Sequence, residues 1–502
     1  MIIDKSKADS LTVISYIYLL LPLLVFSVFY CNYYVAAAVL LTTVFLVVFY
    51  FRRHDIRTLR FRVTREVVIC LIVAAIWCFF GGQGGFWYQS TDWDARNAIF
   101  RDLITHVWPV VYEGKDTALS YYIGHWLVPA AVAKAALYTL GASAAWLVGK
   151  IALYLWTMLG VTLVFLHVAR RIQVRGVRSL LKMLVILVFF SGLDIVSAAW
   201  TCKIPYCFSE EVLHLEWWSL LQISSLTTCL FWVFNQTIGP WLAMMLYLEQ
   251  EDANNDMLLI AGAFMAGPFP AIGLLVFMLL RRMIQLIMRI VRKEKIGSWF
   301  RAVFSLRNIL AIGTMLLPVA LYYMSNGAFA NIGDSGTKRP LFGLPGDGIT
   351  LEQTIVFLIM DAGIYLILFF KDHHRETDYW AAFLTLMLSP FIHVGGAYDF
   401  TMRSTIPAVL LLAIYAAERM THPLPEKAGR WDRFCVRALT VCLIIGSCTP
   451  LTEFYRGFYH VKTEKRIGLA DDQTISLENT EPSINFESFG YESQLFYRYV
   501  AK

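Results

Sequence analysis

Asp92, Asp94, Arg96, Asn97, Arg101 and Asp102 fall within one helix's length in TDWDARNAIFRDL, just after an apolar run that ends at Phe80. Carboxylates and arginines side by side supply two kinds of chemistry. A carboxylate accepts the proton of an attacking hydroxyl, and a guanidinium holds the oxygens of a phosphate. Asp92 and Arg96 stand at i,i+4, so they pair if the segment is helical; the plainer reading is a surface ion pair worth under about 1 kcal/mol. Thr91-x-x-Asp94 matches a loose capping box, with Thr91 as N-cap and Asp94 at N3. Asp94 then has a structural task available and Asp92 does not. Asp92 is therefore the first of the two acids to test by mutation and Asp94 the second.

Further polar residues are scattered along the chain at the edges of apolar runs. Tyr121, Tyr122 and His125 stand in LSYYIGHW, Asp194 in FFSGLDIVSAAW, Asn235 and Gln236 in FNQTIGPW, and Arg403 in DFTMRSTIP. An acid within an apolar run costs up to about 3 kcal/mol to insert, so Asp194 needs a partner, which a helix-packing hydrogen bond would equally provide. Arg403 suits a phosphate, or snorkels to a membrane interface. Tyr121 and Tyr122 line a path for lipid or anchor a helix, and His125 is more often structural than a ligand. Asn235-Gln-Thr237 fits a glycosylation sequon but abuts an apolar run and is discounted. P-loop, kinase, GxSxG and HExxH signatures are absent, and GGQGG has no strand before it to make a dinucleotide fingerprint.

The elements that must position these residues are membrane helices. Of the 502 residues, 58% are hydrophobic and 16% charged, against roughly 25% charged in soluble domains. Apolar runs long enough to span recur from Leu11 to Pro450. The fold class expected is all-α: a polytopic membrane protein of about thirteen segments, with interfacial amphipathic helices in a first large outer loop, 81–144. Basic loops orient it. Arg52, Arg53, Arg57, Arg60, Arg62 and Arg65 mark a cytoplasmic loop, and RRIQVRGVRSLLK a second. Parity then makes Leu119–Gly141 interfacial or re-entrant and lets Pro268 and Pro270 turn a helical hairpin. The N-terminus falls in the cytoplasm and the C-terminus outside, with a transmembrane unit over 1–450 and a short polar tail over 451–502. Nine cysteines are spread along the chain; Cys202 and Cys207 are near enough in sequence for a disulfide in an oxidising compartment.

TDWDARNAIFRDL, VWPVVYEG and LSYYIGHWLVPAAVAKAAL, with a basic turn after the next span, resemble the GT-C superfamily of integral membrane glycosyltransferases, in its bacterial branches. The resemblance covers the topology of most of the chain, its specific motifs about a tenth. It implies transfer of a sugar from a polyprenyl phosphate to a hydroxyl of a glycan or lipid acceptor, at the outer face of a bacterial plasma membrane. Asp92 or Asp94 would then be the base and Arg96 or Arg403 the phosphate holder. Asn97, Asp102, Tyr121, Tyr122, His125, Asp194, Asn235 and Gln236 would line the substrates. Some relatives bind a divalent cation such as Mg or Mn through Asp-x-Asp and others need none, so DWD leaves the metal open. Membrane lipids are expected partners and nucleic acid is not. The rival is a transporter or lipid flippase using the same charges for substrate binding or ion coupling; a third reading is a scaffold without catalysis.

Overall fold

Asp9 starts the first helix by accepting a hydrogen bond from Thr12 N at 3.0 Å, and the chain is helical over most of its course from there. The structure, a computed structural model, describes residues 9–52, 63–210, 212–216, 221–250, 253–330, 341–346, 348–394, 399–424, 428–464, 467 and 474–502. Arg53, Arg57, Arg60 and Arg62 of the first basic loop lie outside the described residues.

Helix α1 (Ser10–Tyr30) turns at Asn32, whose Oδ1 accepts from Val35 N to start α2 (Tyr33–Arg52). Helix α3 (Arg65–Phe80) ends in GGQGG, where Gly82, Gly84 and Gly85 take φ of 77°, 80° and 72°. Only glycine adopts these angles without strain, and a Cβ on Gly82 would lie 2.4 Å from Tyr88 O. The glycines fold the chain back so that Gln83 donates to Leu230 O at 2.8 Å and Gln89 to Gly82 O at 2.8 Å. GGQGG therefore hooks the next segment onto the bundle.

That segment is α4 (Asp92–Thr105), followed by β1 (Val111–Tyr112), β2 (Thr117–Leu119) and α5 (Gly124–Leu140). Thr91 is already helical and makes no side-chain cap, because the turn begins one residue earlier, with Trp93 N bonded to Ser90 O at 2.9 Å. The expected Thr91–Asp94 capping box does not form. Helix α5 buries Trp126, Leu127, Ala130 and Ala133 against α6 (Ala142–Arg171), which it joins through Gly141 at φ 88°. Its exposed face carries Val132, Ala135, Tyr138 and Leu140, so the charged face of an amphipathic helix is missing.

Beyond α6, α7 (Gly176–Phe189) breaks over 190–193 before α8 (Asp194–Trp200) and α9 (Ile204–Cys207). Asp194 thus opens a short helix instead of lying within a continuous one, and accepts from Ser191 Oγ and Thr449 Oγ1, both at 2.8 Å. Cys202 and Cys207 are free, contrary to the disulfide considered above. Cys207 is buried against Ala198 and Leu215, whereas Cys202 is exposed beyond α8. Helix α10 (Leu226–Glu249) is almost wholly buried and kinks at Val233, with φ −132° and ψ 33°. Helix α11 (Asp256–Ala266) is separated from α12 (Pro268–Val291) by the extended Gly267, a break at the expected proline pair.

The remaining helices are α13 (Gly297–Val303), α14 (Leu306–Leu310), α15 (Leu317–Met324), α16 (Gly327–Ala330), α17 (Leu351–Leu358), α18 (Ile364–His373), α19 (Thr377–Leu388), α20 (Asp399–Ser404), α21 (Ile406–Thr421), α22 (Arg430–Gly446), α23 (Cys448–Glu464) and α24 (Leu495–Tyr499). A π-helical turn at Ile359–Gly363 joins α17 to α18. The residues after α23 return across the molecule: β3 (Glu487–Phe489) pairs antiparallel with β2, with Ala118 opposite Ser488.

Helix makes up 77% of the described residues, with almost no sheet among them. Among the described residues nine helical stretches are long and apolar enough to cross a membrane. Exposed side chains such as Leu41, Val44, Ile72 and Ile76 suit lipid. The chain is an all-α membrane protein. Because α1 rises about 30 Å, its ends mark the two ends of the bundle. At one, Arg170 pairs with Asp9 at 2.6 Å and with Glu249. At the other, Tyr30 O accepts from Lys502 N at 3.1 Å, and the segment 81–123 packs nearby.

Candidate functional site

Helix α4 buries Trp93, Ile99, Phe100 and Leu103, and this fixes the direction of its polar side chains. Arg96, only 6% exposed, donates to Asp92 Oδ2 at 3.0 Å. Its guanidinium lies 5.9 Å from the centre of the Trp93 ring, which stacks on Phe234 at 4.8 Å. Asp92 is half exposed. Asp94 is exposed on the same first turn, and Asn97 is committed to Gln89 Oε1 at 2.9 Å.

A second carboxylate–arginine pair of the same spacing stands opposite. Arg403 Nη1 is 3.2 Å from Asp399 Oδ2, at i,i+4 on α20, and its guanidinium lies 5.9 Å from the Phe269 ring centre at the start of α12. The arginines feel one another. Burial, followed by the charge of Arg403, works against the protonated form of Arg96, while Tyr121 and Asp92 support it, and its pKa is lowered. Arg403 is raised: burial opposes, but Asp399, Tyr122, Tyr121 and Asp92 outweigh it. Two cations are thus held near each other by two aspartates and two tyrosines. Arg96 Nη1 and Arg403 Nε are buried and have no hydrogen-bond partner.

Tyr121 and Tyr122 stack at 4.7 Å between the two pairs. Asn235, just past the kink of α10, donates to Tyr122 O at 3.5 Å and leaves its own Oδ1 buried without a partner. Gln236 Oε1 is likewise buried and unpartnered, and the Gln236 side chain packs against Gly267 at the α11–α12 break. Unused donors on the arginines and unused acceptors on the amides therefore meet in one region, and buried polar groups left without bonds cost about 1–3 kcal/mol each.

No family model, curated protein or solved structure matches this chain. What the site can do is carried by its own geometry.

Of the residues singled out in the sequence, Asp92, Arg96, Tyr121, Tyr122, Asn235, Gln236 and Arg403 come together. Asp102, His125 and Asp194 do not join them. Asp102 accepts from Tyr112 OH at 2.7 Å and Leu477 N at 3.0 Å, tying α4 to β1 and to the C-terminal segment. Burial raises its pKa against those bonds. His125 meets Thr157 Oγ1 at 2.9 Å, and burial pushes it down to about 3, so it stays neutral. Asp194 is held by Ser191 and Thr449 as described. Among the described residues, no three His, Cys, Asp or Glu side chains converge as metal donors, so Asp92 and Asp94 do not form part of such a set. Asp399, in the same DFTMR stretch as Arg403, joins them as that arginine's ion-pair partner. The pairing is legible in the sequence, because DWDAR and DFTMR both read Asp-x-x-x-Arg at a helix start.

Proposed function

We propose that this protein is a membrane glycosyltransferase of GT-C type, moving a sugar from a polyprenyl-phosphate donor to an acceptor hydroxyl. The observation that carries the reading is the convergence of Arg96 and Arg403, each with one buried N–H group unused, beside unused amide oxygens. Arginine N–H groups suit phosphate oxygens, and the Asn235 and Gln236 oxygens suit sugar hydroxyls. In the resting site Asp92 is bound to Arg96. An arriving phosphate competes for Arg96 and frees Asp92 to accept a proton. The acceptor oxygen, losing that proton to Asp92, attacks the anomeric carbon as its bond to the phosphate oxygen breaks. The configuration inverts, and the departing lipid phosphate keeps the electron pair, held by Arg96 and Arg403. No metal is invoked.

In this reading the N-terminus is cytoplasmic, the Asp92 end faces the exterior of a bacterial plasma membrane, and the C-terminal segment lies outside. Helices α3, α11, α19 and α21 join the nine long stretches as shorter segments, making thirteen. Purified protein given a radiolabelled polyprenyl-phosphate sugar tests the reading. Asp92→Asn should lose about 10²–10⁴-fold in turnover at matched folding; unchanged turnover removes Asp92 as base. A transporter is the second reading, favoured by Asp361, buried in the π-helical turn within an apolar stretch with both carboxylate oxygens unpartnered. Solute flux in proteoliposomes, abolished by Asp361→Asn and untouched by Asp92→Asn, would select it.

A further inference from the structure

Trp93 has a second neighbour besides Arg96. It lines a narrow cleft shared with Tyr88, Ser90, Trp232, Glu453 and Arg456. Arg456 lays its guanidinium over the Trp232 ring, 4.3 Å from the centre, an arrangement that desolvates the cation without neutralising it. Its Nε and Nη1 are buried and have no hydrogen-bond partner. The nearby carboxylate is otherwise engaged: Glu453 Oε1 is 2.6 Å from His214 Nδ1, and Oε2 accepts from Trp232 Nε1 at 2.8 Å. Burial disfavours the charged form of His214, but Glu453 overrides it and raises the pKa. Glu453 is thus occupied by His214 and Trp232, and Arg456 keeps its buried N–H groups unused. Ser90 Oγ, buried in the same wall, also lacks a partner. Two free cationic donors, a free hydroxyl and aromatic walls call for anionic oxygens on a ligand able to lie against rings.

We infer that this cleft is a second anion site, holding a phosphate or carboxylate of the acceptor substrate through Arg456 and Ser90. The anion site stands on the cleft alone; its assignment to the acceptor rests on the glycosyltransferase reading. Trp93 then separates two anions, the donor phosphate on the Arg96 side and the acceptor's charge on the Arg456 side. The acceptor class is correspondingly narrowed to an anionic one.

Calorimetric titration of the full chain in phosphatidylcholine nanodiscs tests this, with phenyl phosphate and benzoate as probes and phenol as the neutral control. Wild type should bind phenyl phosphate at two sites and phenol at neither. Arg456→Gln should remove one site and Arg403→Gln the other, while Arg456→Lys, which restores the charge, should recover most of the lost binding. Unchanged stoichiometry in a folded Arg456→Gln overturns the inference. If Arg456→Gln removes a site and Arg403→Gln removes none, the second anion site stands and the donor-phosphate assignment falls. Should Arg456→Gln not fold, Ser90→Ala decides: weakened binding at one site supports the cleft, and unaltered binding overturns it. Replacing part of the lipid by phosphatidylglycerol distinguishes the source of the anion. Competition at the Arg456 site would assign it to a lipid headgroup and overturn the acceptor assignment; its absence supports a dedicated acceptor.

Discussion

Gly273 offers the sharpest test of how Arg403 is held in place. A Cβ built on this residue of α12 would lie 1.9 Å from Ser404 O, 2.6 Å from Ser404 C and 2.7 Å from Ser404 Cα. All three are backbone atoms, so no side chain can swing aside. The closest ordinary carbon–oxygen approaches are about 3.3 Å, and Gly273→Ala must therefore push α12 and the end of α20 apart by about 1.4 Å. Ser404 follows Arg403 directly, and the Phe269 ring beneath Arg403 belongs to α12, so the shift acts on both sides of the guanidinium. Overpacking of this kind costs about 1–3 kcal/mol, against a gain of up to about 1 kcal/mol from alanine's helix propensity. Misplacement by about 1 Å near a reacting centre costs on the order of a hundredfold in rate. Gly313→Ala is the control, since nothing lies within 4 Å of its added carbon. The assay pairs denaturant unfolding in mixed micelles with phenyl phosphate titration. Gly273→Ala should lower stability and weaken the Arg403 site, and Gly313→Ala should do neither. A Gly273→Ala protein with wild-type stability and binding would refute the close approach and the positioning drawn from it.

Three other outcomes are expected. Asp399→Asn should weaken anion binding at the Arg403 site and leave the Arg456 cleft unchanged, read by the same titration, because Asp399 orients only Arg403. Arg282→Ala removes the two-point contact with Asp256, Nε–Oδ2 and Nη2–Oδ1 both at 2.9 Å; breaking such a buried pair should cost about 3–5 kcal/mol by denaturant unfolding. The raised pKa of His214 sets a pH window. The stability drawn from its bond to Glu453 is fully present below the unfolded value of about 6.5 and is lost as pH rises through the higher folded value. The unfolding difference between wild type and His214→Gln should accordingly shrink from acid to alkaline pH.

Local features were readable in the sequence wherever a short-range rule decides them. The Asp92–Arg96 pair follows from i,i+4 spacing, the apolar stretches from length, and the break near Pro268 from proline chemistry. Failures arose where a neighbour in space overrides the local signal. Thr91-x-x-Asp94 has the spacing of a capping box, yet Gln89 is held by the GGQGG hook and a turn from Ser90 to Trp93 already gives Thr91 helical angles. Asp102 resembles its neighbours in sequence, but it faces Tyr112 and Leu477, and the latter is brought there only by the returning C-terminal segment. The convergence of Arg96 with Arg403, and of Arg456 with Trp232, joins helices far apart in the chain, and no periodicity encodes it. The segment after 450 reads as a polar tail by composition; its first part instead continues as α23, and this helix supplies Glu453 and Arg456 to the bundle.

The pairing of β3 with β2 also has a consequence for biosynthesis. Thr117 meets Phe489, Glu487 Oε2 accepts from Thr117 Oγ1 at 2.5 Å, and Val500 O accepts from Asn32 N at 2.8 Å. The edge beside α5 and the turn between α1 and α2 therefore stay unfinished until residues 487–500 have been made. A ribosome stalled in α22 or α23 leaves an inserted bundle whose Asp92 end lacks its closing strand. Release of nascent chains of increasing length should show the Asp92 end gaining protease resistance only once residues 487–500 have emerged.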